Sequence, residues 1–571
     1  MRSLHLAIVL SATTLLVAAC ATTTRRSGDA PAATPPGYYG TLEPFAAEAV
    51  YFVVTDRFVN GDLANDQREQ GGGLGSFDIP LRCPDGVVDN LGYLGGDFRG
   101  LLDHADYIRD MGFSAVWITP IAENPDQRFS GGDEITCSSS LSDRGKAAYH
   151  GYWAINFHRI DEHLPSADLD FAGLTAGLRA KGLRTVLDIV GNHGSPAYTM
   201  PTRQAQFGQL FDADGTLVAD HGNVEPAQLD RGNPLHDWYN RSGNLAQLAD
   251  LDGSNPAVVD YLVSAYLKWI AQGADAFRVD TIAWQPPAFW KQVSDRIRAE
   301  HPGFFMFGEA FEYDATRIAL FTRPESGAYS VLDFPLRKAM IEVFEQDAGF
   351  EALLPALHLD DGLYRNPYEL ATFYDNHDMA RMNADDAGFI DAHHWLFTAR
   401  GIPVVYYGSE MGFMRGRAEH HGNRNYFGVE GIAAARSHPI REKLSRIARL
   451  RASSVALQRG LQLDLQLEGD RAAFLRVYQH DGVAQTALVL LNKGDSALDF
   501  TLDPALAAGE WRNALDPSAR NPWIAAGAAP TLRVAPHDAA VWLLDAPLND
   551  AALRARLDRL QRQGASRTNG E

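Results

Sequence analysis

The chain has 571 residues, with 51 Lys and Arg against 72 Asp and Glu, which gives a formal net charge of −21. This length exceeds one simple hydrophobic core, so we expect two or three domains. The acidic balance argues against a nucleic-acid partner, because the phosphate backbone would repel the chain. A neutral, sugar-like substrate is compatible with it.

The first twenty residues are typical of an export signal, with Arg2, an apolar run from Leu4 to Ala19, and the sequence VAAC. The run is short for a membrane-spanning helix, and polar, Pro-rich sequence follows. VAAC resembles the lipobox of bacterial lipoproteins, with Cys20 as the lipid-modified residue, and Ala21 fits sorting to the outer membrane. The alternative is a plain signal peptide cut nearby.

We therefore predict a lipoprotein signal peptide over 1–20 and a disordered tether over 21–44. The protein is predicted to be exported, either as an outer-membrane lipoprotein or to the periplasm or cell surface. Its only membrane contact would be the lipid at Cys20. The remaining cysteines, Cys83 and Cys137, are a disulfide candidate in an oxidising compartment, and two unpaired buried thiols are the alternative.

Short apolar runs alternate with amphipathic stretches whose apolar residues recur at the helical period. The runs are VYFVVTD (50–56), SAVWITP (114–120), RTVLDIV (184–190), DAFRVD (275–280), FFMFGE (304–309), YSVLDF (329–334), LATFYD (370–375) and PVVYYG (403–408). Eight strands, each followed by a helix, predict an α/β fold, a (β/α)₈ TIM barrel. Strands that are apolar on both faces fit a parallel sheet covered by helices.

The alternation of strands and helices is interrupted after the third strand, and the pattern changes again near residue 460. About sixty residues rich in Gly, Asp and Asn follow Val190, which predicts an inserted subdomain B over 194–249. The barrel is thus assigned to 45–193 and 250–458. Short alternating strands then predict a C-terminal antiparallel β-sandwich domain over 459–546, followed by a helical tail over 547–571.

Active sites of such barrels lie at the carboxyl ends of the strands. There the third strand ends in DIVGNH, the fourth in RVD, the fifth in GE and the seventh in FYDNHD. Each acidic residue or histidine alone could be a structural ion pair or a satisfied core residue. Together they predict carboxylates crowded at one mouth, where they raise one another's pKa and can perform acid–base chemistry. Asp188 lies inside its strand and is expected to hold the structure near Arg278.

These strand-end motifs resemble those of a known protein family. DIVGNH, GADAFRVD, FGEAF and FYDNHD resemble, in order and spacing, the four signature regions of the α-amylase family of glycoside hydrolases (family 13). GFSAVWITPI (112–121), HGYW (150–153), LADLD (248–252) and GIPVVYYGSE (401–410) agree with it, and the resemblance covers about residues 45 to 546. It implies retaining cleavage of α-glucosidic bonds through a covalent glycosyl-enzyme.

The resemblance assigns roles to matching positions. Asp280 looks like the nucleophile, Glu309 like the general acid/base and Asp378 like the third carboxylate, which binds sugar hydroxyls. Arg278 would keep the nucleophile ionised, and the apolar frame FMFGEAF is expected to raise the pKa of Glu309. The substrate contacts implied by the resemblance are Tyr152 as a stacking platform, His193, His377, Trp284 and Arg424.

Calcium is the predicted cofactor. VNGDLANDQ (59–67) and GGDF resemble a calcium site near the first strand of cyclodextrin glycosyltransferases, and oxygen ligands on a turn suit Ca²⁺. Its predicted ligands are Asn60, Asp62, Asn65, Asp66, Gly95 and Asp97, and a solvated Asx-rich turn is the alternative. The family's second site, between barrel and insert, would use Asn192, Asp250 and the backbone carbonyl of Trp284.

The sequence departs from the family pattern at several positions. Ala283 and Trp284 replace the Lys-His that often follows the nucleophile, which predicts less hydrogen bonding and more stacking on the leaving-group side. Ala246 stands where cyclising relatives have an aromatic residue. Cyclising relatives also carry two further β domains, for which this chain has no room. These features favour an α-amylase acting on starch or maltodextrins.

Other functions remain open from the sequence. A 4-α-glucanotransferase, or a hydrolase of cyclodextrin or pullulan, would use the same intermediate. A non-catalytic α-glucan-binding protein is a third alternative, although the three carboxylates are all present. The oligomeric state is not predicted.

Overall fold

A computed structural model of the protein describes residues 37–568, except 503–505, 507, 517, 519–522, 526 and 528. The signal peptide, Cys20 and most of the tether lie outside the described residues. Residues 37 onward form one self-contained unit. Residues 37–44 were predicted to be tether, and this is wrong. They are ordered because the buried Tyr38 side chain packs with the C-terminal sheet and its backbone pairs with Gln479.

Eight parallel strands form the predicted barrel. They are β1 (Val50–Val53), β2 (Ala115–Ile118), β3 (Arg184–Val190), β4 (Ala276–Asp280), β5 (Phe305–Gly308), β6 (Ser330–Val331), β7 (Ala371–Thr372) and β8 (Ile402–Tyr406). The hydrogen-bonded order is β6-β5-β4-β3-β2-β1-β8-β7. A parallel bridge between Leu332 and Ala371 joins the two end strands, so the sheet closes on itself.

The barrel strands are buried on both faces, as their sequences predict. Every residue of β1, β2, β4, β5 and β8 is buried. Inside the barrel the Phe52 and Trp117 rings stack with centroids 3.8 Å apart. Strands β6 and β7 are only two residues long. Strand β6 ends early because Asp333 caps the next helix by accepting a hydrogen bond from the Leu336 backbone N–H at 3.1 Å.

Helices cover the barrel. The α-helices of the barrel region are Thr55–Phe58, Phe98–Asp103, Ala105–Met111, Phe171–Ala180, Pro256–Ala271, Pro287–Glu300, Ala315–Ile318, Phe334–Phe344, Leu354–Leu357, Asp386–Thr398, Gly428–Ala435, Pro439–Ala452 and Val455–Arg459. Several begin at an Asp or Asn whose side chain accepts a backbone N–H, for example Asp170 and Asn255. No helix of the described residues is long and apolar enough to cross a membrane.

Two long excursions rise from the strand ends. The segment after β3 contains the antiparallel pairs His193–Pro196 with Leu248–Asp250 and Gln209–Phe211 with Leu217–Asp220. The segment after β2, residues 119–170, was not singled out from the sequence. It packs on the first through a separate apolar cluster that includes Phe129, Trp153 and Phe207. The two excursions therefore pack together as one unit.

Cys83 and Cys137 form a disulfide with an S–S distance of 2.02 Å. Cys83 lies between the strands Pro80–Arg82 and Val88–Asn90, and Cys137 lies in the excursion after β2. The bond therefore ties the loops that follow the first two barrel strands.

The double variant Cys83→Ser/Cys137→Ser is expected to lower the free energy of unfolding by about 2–4 kcal/mol, because the bond removes conformations from the unfolded chain. The two cysteines are separated by 54 positions. Urea unfolding followed by tryptophan fluorescence measures the difference. Reductant should destabilise the wild type but not the double variant, and equal stability of the two oxidised proteins would contradict the prediction.

The C-terminal part is an antiparallel sandwich, as predicted. Its main sheet is formed by Leu461–Glu468, Arg471–His480, Val483–Asn492, Asp538–Leu544 and Arg512–Asn513, and the pairs Leu498–Thr501 with Thr531–Val534 and Gly509–Glu510 with Trp523–Ile524 complete it. One face packs on the barrel, where Phe474 lies against Trp395. The other face packs on the tail helix, Ala551–Thr568, through Leu553 and Leu557.

Candidate active site

The carboxyl ends of four barrel strands bring polar side chains to one mouth. Asp280 is the last residue of β4, and Glu309 directly follows β5. His193 follows β3, and Asp378 follows β7. Because the strands are parallel, these ends lie on the same side of the barrel.

Arg278 is the centre of the site. Its side chain is fully buried, and Nη1 lies 2.8 Å from Asp280 Oδ1 and 2.9 Å from Asp188 Oδ1. Nη2 lies 3.0 Å from Glu309 Oε1 but not in hydrogen-bond geometry. Arg278 and Asp280 share a face because they are two apart on β4, and Asp188 is the register partner of Arg278 on β3. One guanidinium therefore contacts three carboxylates.

Glu309 is placed to act as an acid. Burial raises the pKa of its carboxyl well above the usual range, and the charges of Asp280 and Asp378 raise it further, against the opposing effect of Arg278. The Thr281 backbone N–H donates to Glu309 Oε2 at 3.2 Å. A carboxyl that holds its proton beside an arginine-paired carboxylate has the arrangement of an acid–nucleophile pair.

Asp378 is held by an ion-pair network. Arg424 Nη2 lies 2.8 Å from Asp378 Oδ1 and 3.1 Å from Glu419 Oε1. Lys146 Nζ lies 3.2 Å from the same Glu419 oxygen, so the network joins the loops after β2 and β8. Its partly buried position raises the pKa of Asp378 to about 6, although Arg424 opposes the shift. Lys146 and Glu419 were missed from the sequence, because 273 positions separate them.

Three of the predicted substrate-contacting side chains surround the same space. The Tyr152 hydroxyl donates to Asp188 Oδ2 at 2.7 Å, and its ring stacks on His377 with centroids 5.3 Å apart. His193 is buried, and burial lowers its pKa, so its neutral ring can donate or accept a hydrogen bond. The ring planes and the polar atoms together suit a pyranose, which has an apolar face and a rim of hydroxyls.

Exposed aromatic side chains line the rim of the mouth. Trp284 is 46% exposed and follows β4, where Thr281 takes a left-handed conformation with φ 48°. Phe311 is 48% exposed and Tyr313 is 41% exposed, and both follow Glu309 and pack on Phe334. These rings are available to stack on a molecule that enters the mouth.

The first predicted cation site has oxygens that lack partners. Asn60 Oδ1 and Asn65 Oδ1 are buried and accept no hydrogen bond among the described residues. A Cβ on Gly95 would come within 2.4 Å of Asp66 Oδ1, so the glycine backbone closely approaches the cluster. Asp97 Oδ2 accepts the Asn65 amide at 3.2 Å. This donor set fits Ca²⁺.

Asp62 differs from the other predicted ligands of this site. Its side chain caps a short 3₁₀ turn by accepting the Ala64 backbone N–H at 3.0 Å. One of its carboxylate oxygens is therefore already used locally.

The donors of the second predicted cation site also converge. Asn244 Nδ2 lies 3.1 Å from Asn192 Oδ1, 3.0 Å from Asp250 Oδ1 and 3.3 Å from the Trp284 carbonyl oxygen. A side-chain amide therefore fills the point at which these oxygens meet. A rotation of the Asn244 side chain that exchanges its amide nitrogen and oxygen would add Oδ1 as a further possible ligand oxygen. Burial raises the pKa of Asp250 to about 7. The sequence did not point to Asn244.

The sequence matches the family described as "Alpha amylase, catalytic domain" over residues 52–438. It is 30% identical over 492 residues to a cyclomaltodextrin glucanotransferase of Geobacillus stearothermophilus, covering 82% of this chain and 63% of that protein. The chain therefore spans less than two thirds of that relative. It is 28% identical over 482 residues to an alpha-amylase of Niallia circulans, covering 81% of this chain and 84% of the relative.

Solved structures have the same fold. The crystal structure of CldA, described as a cyclomaltodextrin glucanotransferase with a three-domain ABC distribution, superposes with a TM-score of 0.71 at 29% identity. The alignment covers 88% of this chain and 99% of CldA. The match to the catalytic domain spans most of the barrel and includes every strand end described above. The chain belongs to the α-amylase family of glycoside-active enzymes.

Proposed function

We propose that the protein is an α-amylase that cleaves internal α-1,4-glucosidic bonds of starch, maltodextrins or related α-glucans with retention of configuration. The observation that carries this proposal is the contact of one buried guanidinium, Arg278, with both Asp280 and Glu309. Retaining enzymes need two carboxyl groups astride a single bond, one ionised and one protonated. An arginine that touches both keeps them within a few ångströms of each other.

The proposed reaction has two steps. Asp280 attacks the anomeric carbon while Glu309 gives its proton to the departing glucosidic oxygen, so the C–O bond breaks and a glycosyl ester forms. Glu309, now ionised, takes a proton from water, which attacks the same carbon and releases Asp280. Arg278 stabilises the carboxylates, and Asp378 with Arg424 binds sugar hydroxyls.

The pH dependence of kcat/KM should report Glu309. Activity requires its protonated form, so activity falls as pH rises through the pKa of Glu309, which burial raises well above the usual range. We expect the alkaline limb for maltoheptaose to lie well above pH 4.5. The limb should be absent with α-maltosyl fluoride, because fluoride leaves without a proton. The same limb with both substrates would contradict the assignment.

Hydrolysis and transglycosylation differ in whether water or a sugar hydroxyl accepts the glycosyl group. Ala246 leaves no large side chain at the position that is aromatic in cyclising relatives, which favours hydrolysis. The number of domains does not separate the two activities, because CldA is described as a glucanotransferase of three domains. The exposed Trp284 and Phe311 favour the alternative, a 4-α-glucanotransferase, since stacked acceptor sugars compete with water.

Chromatography of products from maltoheptaose, pullulan and a cyclodextrin tests the proposal. An α-amylase gives linear products shorter than maltoheptaose and acts slowly on the other two substrates. Chains longer than seven glucose units, or cyclic products, would show a transferase. Rapid opening of cyclodextrin or cleavage of pullulan would show a hydrolase of that type. The Glu309→Gln variant controls for contaminating enzymes. Activity that is present in the wild type and lost in this variant excludes a non-catalytic glucan-binding protein.

We propose Ca²⁺ as a resident structural ion. Asn60, Asn65, Asp66, Asp97 and the Gly95 backbone would hold it at the first site. The support is the pair of buried amide oxygens without partners. Bound there, the ion would cross-link the loop after β1.

Removal of calcium should lower the melting temperature. An ion that binds only the folded state stabilises it by about 2.7 kcal/mol at a hundred times its dissociation constant. Scanning fluorimetry with EDTA and with added CaCl₂ measures the change. The variant Asn65→Ala should have a smaller calcium response than the wild type. Identical melting with EDTA and CaCl₂ would contradict the prediction.

We further propose export with a lipid on Cys20, on the basis of the VAAC sequence. Labelling cells with a clickable palmitate tests it. The wild type should take up label and fractionate with membranes, whereas Cys20→Ala should do neither. An unlabelled wild type would favour a plain signal peptide.

A further inference from the structure

The tail helix carries a basic surface on an acidic protein. Arg554, Arg556, Arg559 and Arg562 lie within nine positions, with Asp558 as the only acidic residue among them, in a chain of net charge −21. Arg559 and Arg562 are exposed, and neither forms an ion pair among the residues that the structure describes. We call these four arginines the basic helix surface.

The helix presents this surface in a fixed orientation. Leu553 and Leu557 are buried against the C-terminal sheet. Arg554 Nε donates to the Leu548 carbonyl at 2.8 Å, and Arg556 Nη2 donates to the Asp464 carbonyl at 3.0 Å. These contacts hold the helix against the sheet, with Arg559 and Arg562 on its exposed surface.

A groove runs beside the outer arginines. Its volume is about 340 Å³, and its lining combines two leucines, three arginines and one acidic residue: Leu463, Leu560, Arg556, Arg559, Arg562 and Asp360. A lining in which leucine side chains accompany three arginines complements a molecule with an anionic head and an apolar body. An anionic phospholipid has this chemistry, whereas a soluble phosphate would contact only the arginines.

The chain enters the folded unit on this same helix. The Tyr38 hydroxyl donates to Asp558 Oδ1 at 2.9 Å, and the Tyr39 backbone N–H donates to Gln561 Oε1 at 3.0 Å. Sixteen residues separate Cys20 from Gly37. A segment of that length spans at most about 55 Å. A lipid on Cys20 would therefore keep the entry point at Gly37 within about 55 Å of the membrane.

The contacts of residues 40 and 41 also show on which side of the barrel the tail helix lies. The Thr41 hydroxyl donates to Glu369 Oε1 at 2.7 Å, and the Asn366 amide donates to the Gly40 carbonyl at 3.1 Å. Residues 366–369 lie just before β7, at the amino-terminal ends of the strands. The tail helix is therefore on the side away from the mouth, so a membrane on this side leaves the mouth open to a polymer.

We propose that the basic helix surface docks on an anionic lipid surface and turns the active-site mouth away from it. Each arginine near such a surface strengthens binding about fivefold, and the attraction falls with salt. This goes beyond the proposed glycosidic activity and does not require it. It acts with the lipid on Cys20 but does not depend on it.

Vesicle co-sedimentation tests the docking. The chain is produced from Gly37, which begins the self-contained unit and excludes the leader and any lipid. It should sediment with vesicles of phosphatidylglycerol and phosphatidylcholine in low salt, at least tenfold more than with phosphatidylcholine alone. The variant Arg559→Glu/Arg562→Glu should lose at least tenfold of this binding.

A matched variant, Arg82→Glu/Arg231→Glu, makes the same charge change at exposed arginines of the barrel loops and should bind as the wild type does. Circular dichroism and thermal melting of all proteins report correct folding. Absence of binding to anionic vesicles, equal loss in the matched variant, or equal binding to neutral vesicles would overturn the proposal. So would a dimer that dissociates in the Arg559→Glu/Arg562→Glu variant, because the surface would then join two copies of the chain.

Discussion

Asp280→Asn is expected to abolish turnover of maltoheptaose, lowering kcat by at least about 10⁴-fold. The amide keeps the shape of the side chain and can still accept a hydrogen bond from Arg278 Nη1, so the barrel should fold unchanged. It cannot attack the anomeric carbon, and no glycosyl-enzyme forms. Steady-state kinetics, with circular dichroism to confirm folding, measure the effect.

Asp188→Asn is the matched control for this variant. Asp188 contacts the same Arg278 nitrogen at 2.9 Å, but it lies inside β3 and also accepts a hydrogen bond from Trp117 Nε1 at 3.0 Å. Its role is to hold Arg278 and Tyr152, so its loss should cost far less activity than the loss of Asp280. Abolished turnover in Asp188→Asn together with an active Asp280→Asn would reverse the assignment of the nucleophile.

Glu309→Gln is expected to lower kcat/KM for maltoheptaose by about 10²–10⁴-fold, the usual contribution of a general acid. Glutamine preserves the side-chain size and the hydrogen bond from Thr281, but it cannot give a proton to the leaving oxygen. The loss should be much smaller for α-maltosyl fluoride, whose leaving group needs no proton. The diagnostic quantity is therefore the loss of kcat/KM for maltoheptaose divided by the loss for α-maltosyl fluoride.

Glu410→Gln supplies a control for general effects of losing a buried carboxyl. Glu410 is buried and accepts hydrogen bonds from Tyr51 and Tyr107. Among the described residues, no hydrogen bond or ion pair joins it to Asp280, Glu309 or Asp378. Burial raises its pKa, as it does for Glu309. This change can destabilise the fold, but it should affect both substrates equally. A substrate-dependent loss in Glu410→Gln, or a uniform loss in Glu309→Gln, would contradict the role of Glu309.

The placement of the central side chains could be predicted because it depends on local rules. Arg278 and Asp280 share a face through the two-residue period of a strand, and parallel strands bring Glu309 and Asp378 to the same mouth. The eight strands were predicted because both of their faces are apolar. The sequence left the cysteine pairing open, and the structure joins Cys83 to Cys137.

Contacts between distant loops could not be predicted. Lys146 and Glu419 meet only after the excursion after β2 has packed, and neither lies in a periodic segment. Asn244 reaches the second cluster of oxygens from a loop whose path no local pattern fixes. The tether was predicted to be too long, because the composition of residues 37–44 does not indicate that Tyr38 pairs with Gln479 and Asp558.

The proposed mechanism requires a covalent bond between Asp280 and a glucosyl unit, so trapping that bond is its most direct test. Glu309→Gln is incubated with α-maltotriosyl fluoride, which reacts without an acid and leaves no base to activate water. Mass spectrometry of the intact protein and of its peptides should find one maltotriosyl group, attached to Asp280. A label on another residue, or consumption of the fluoride without any adduct and with inverted product, would contradict the account.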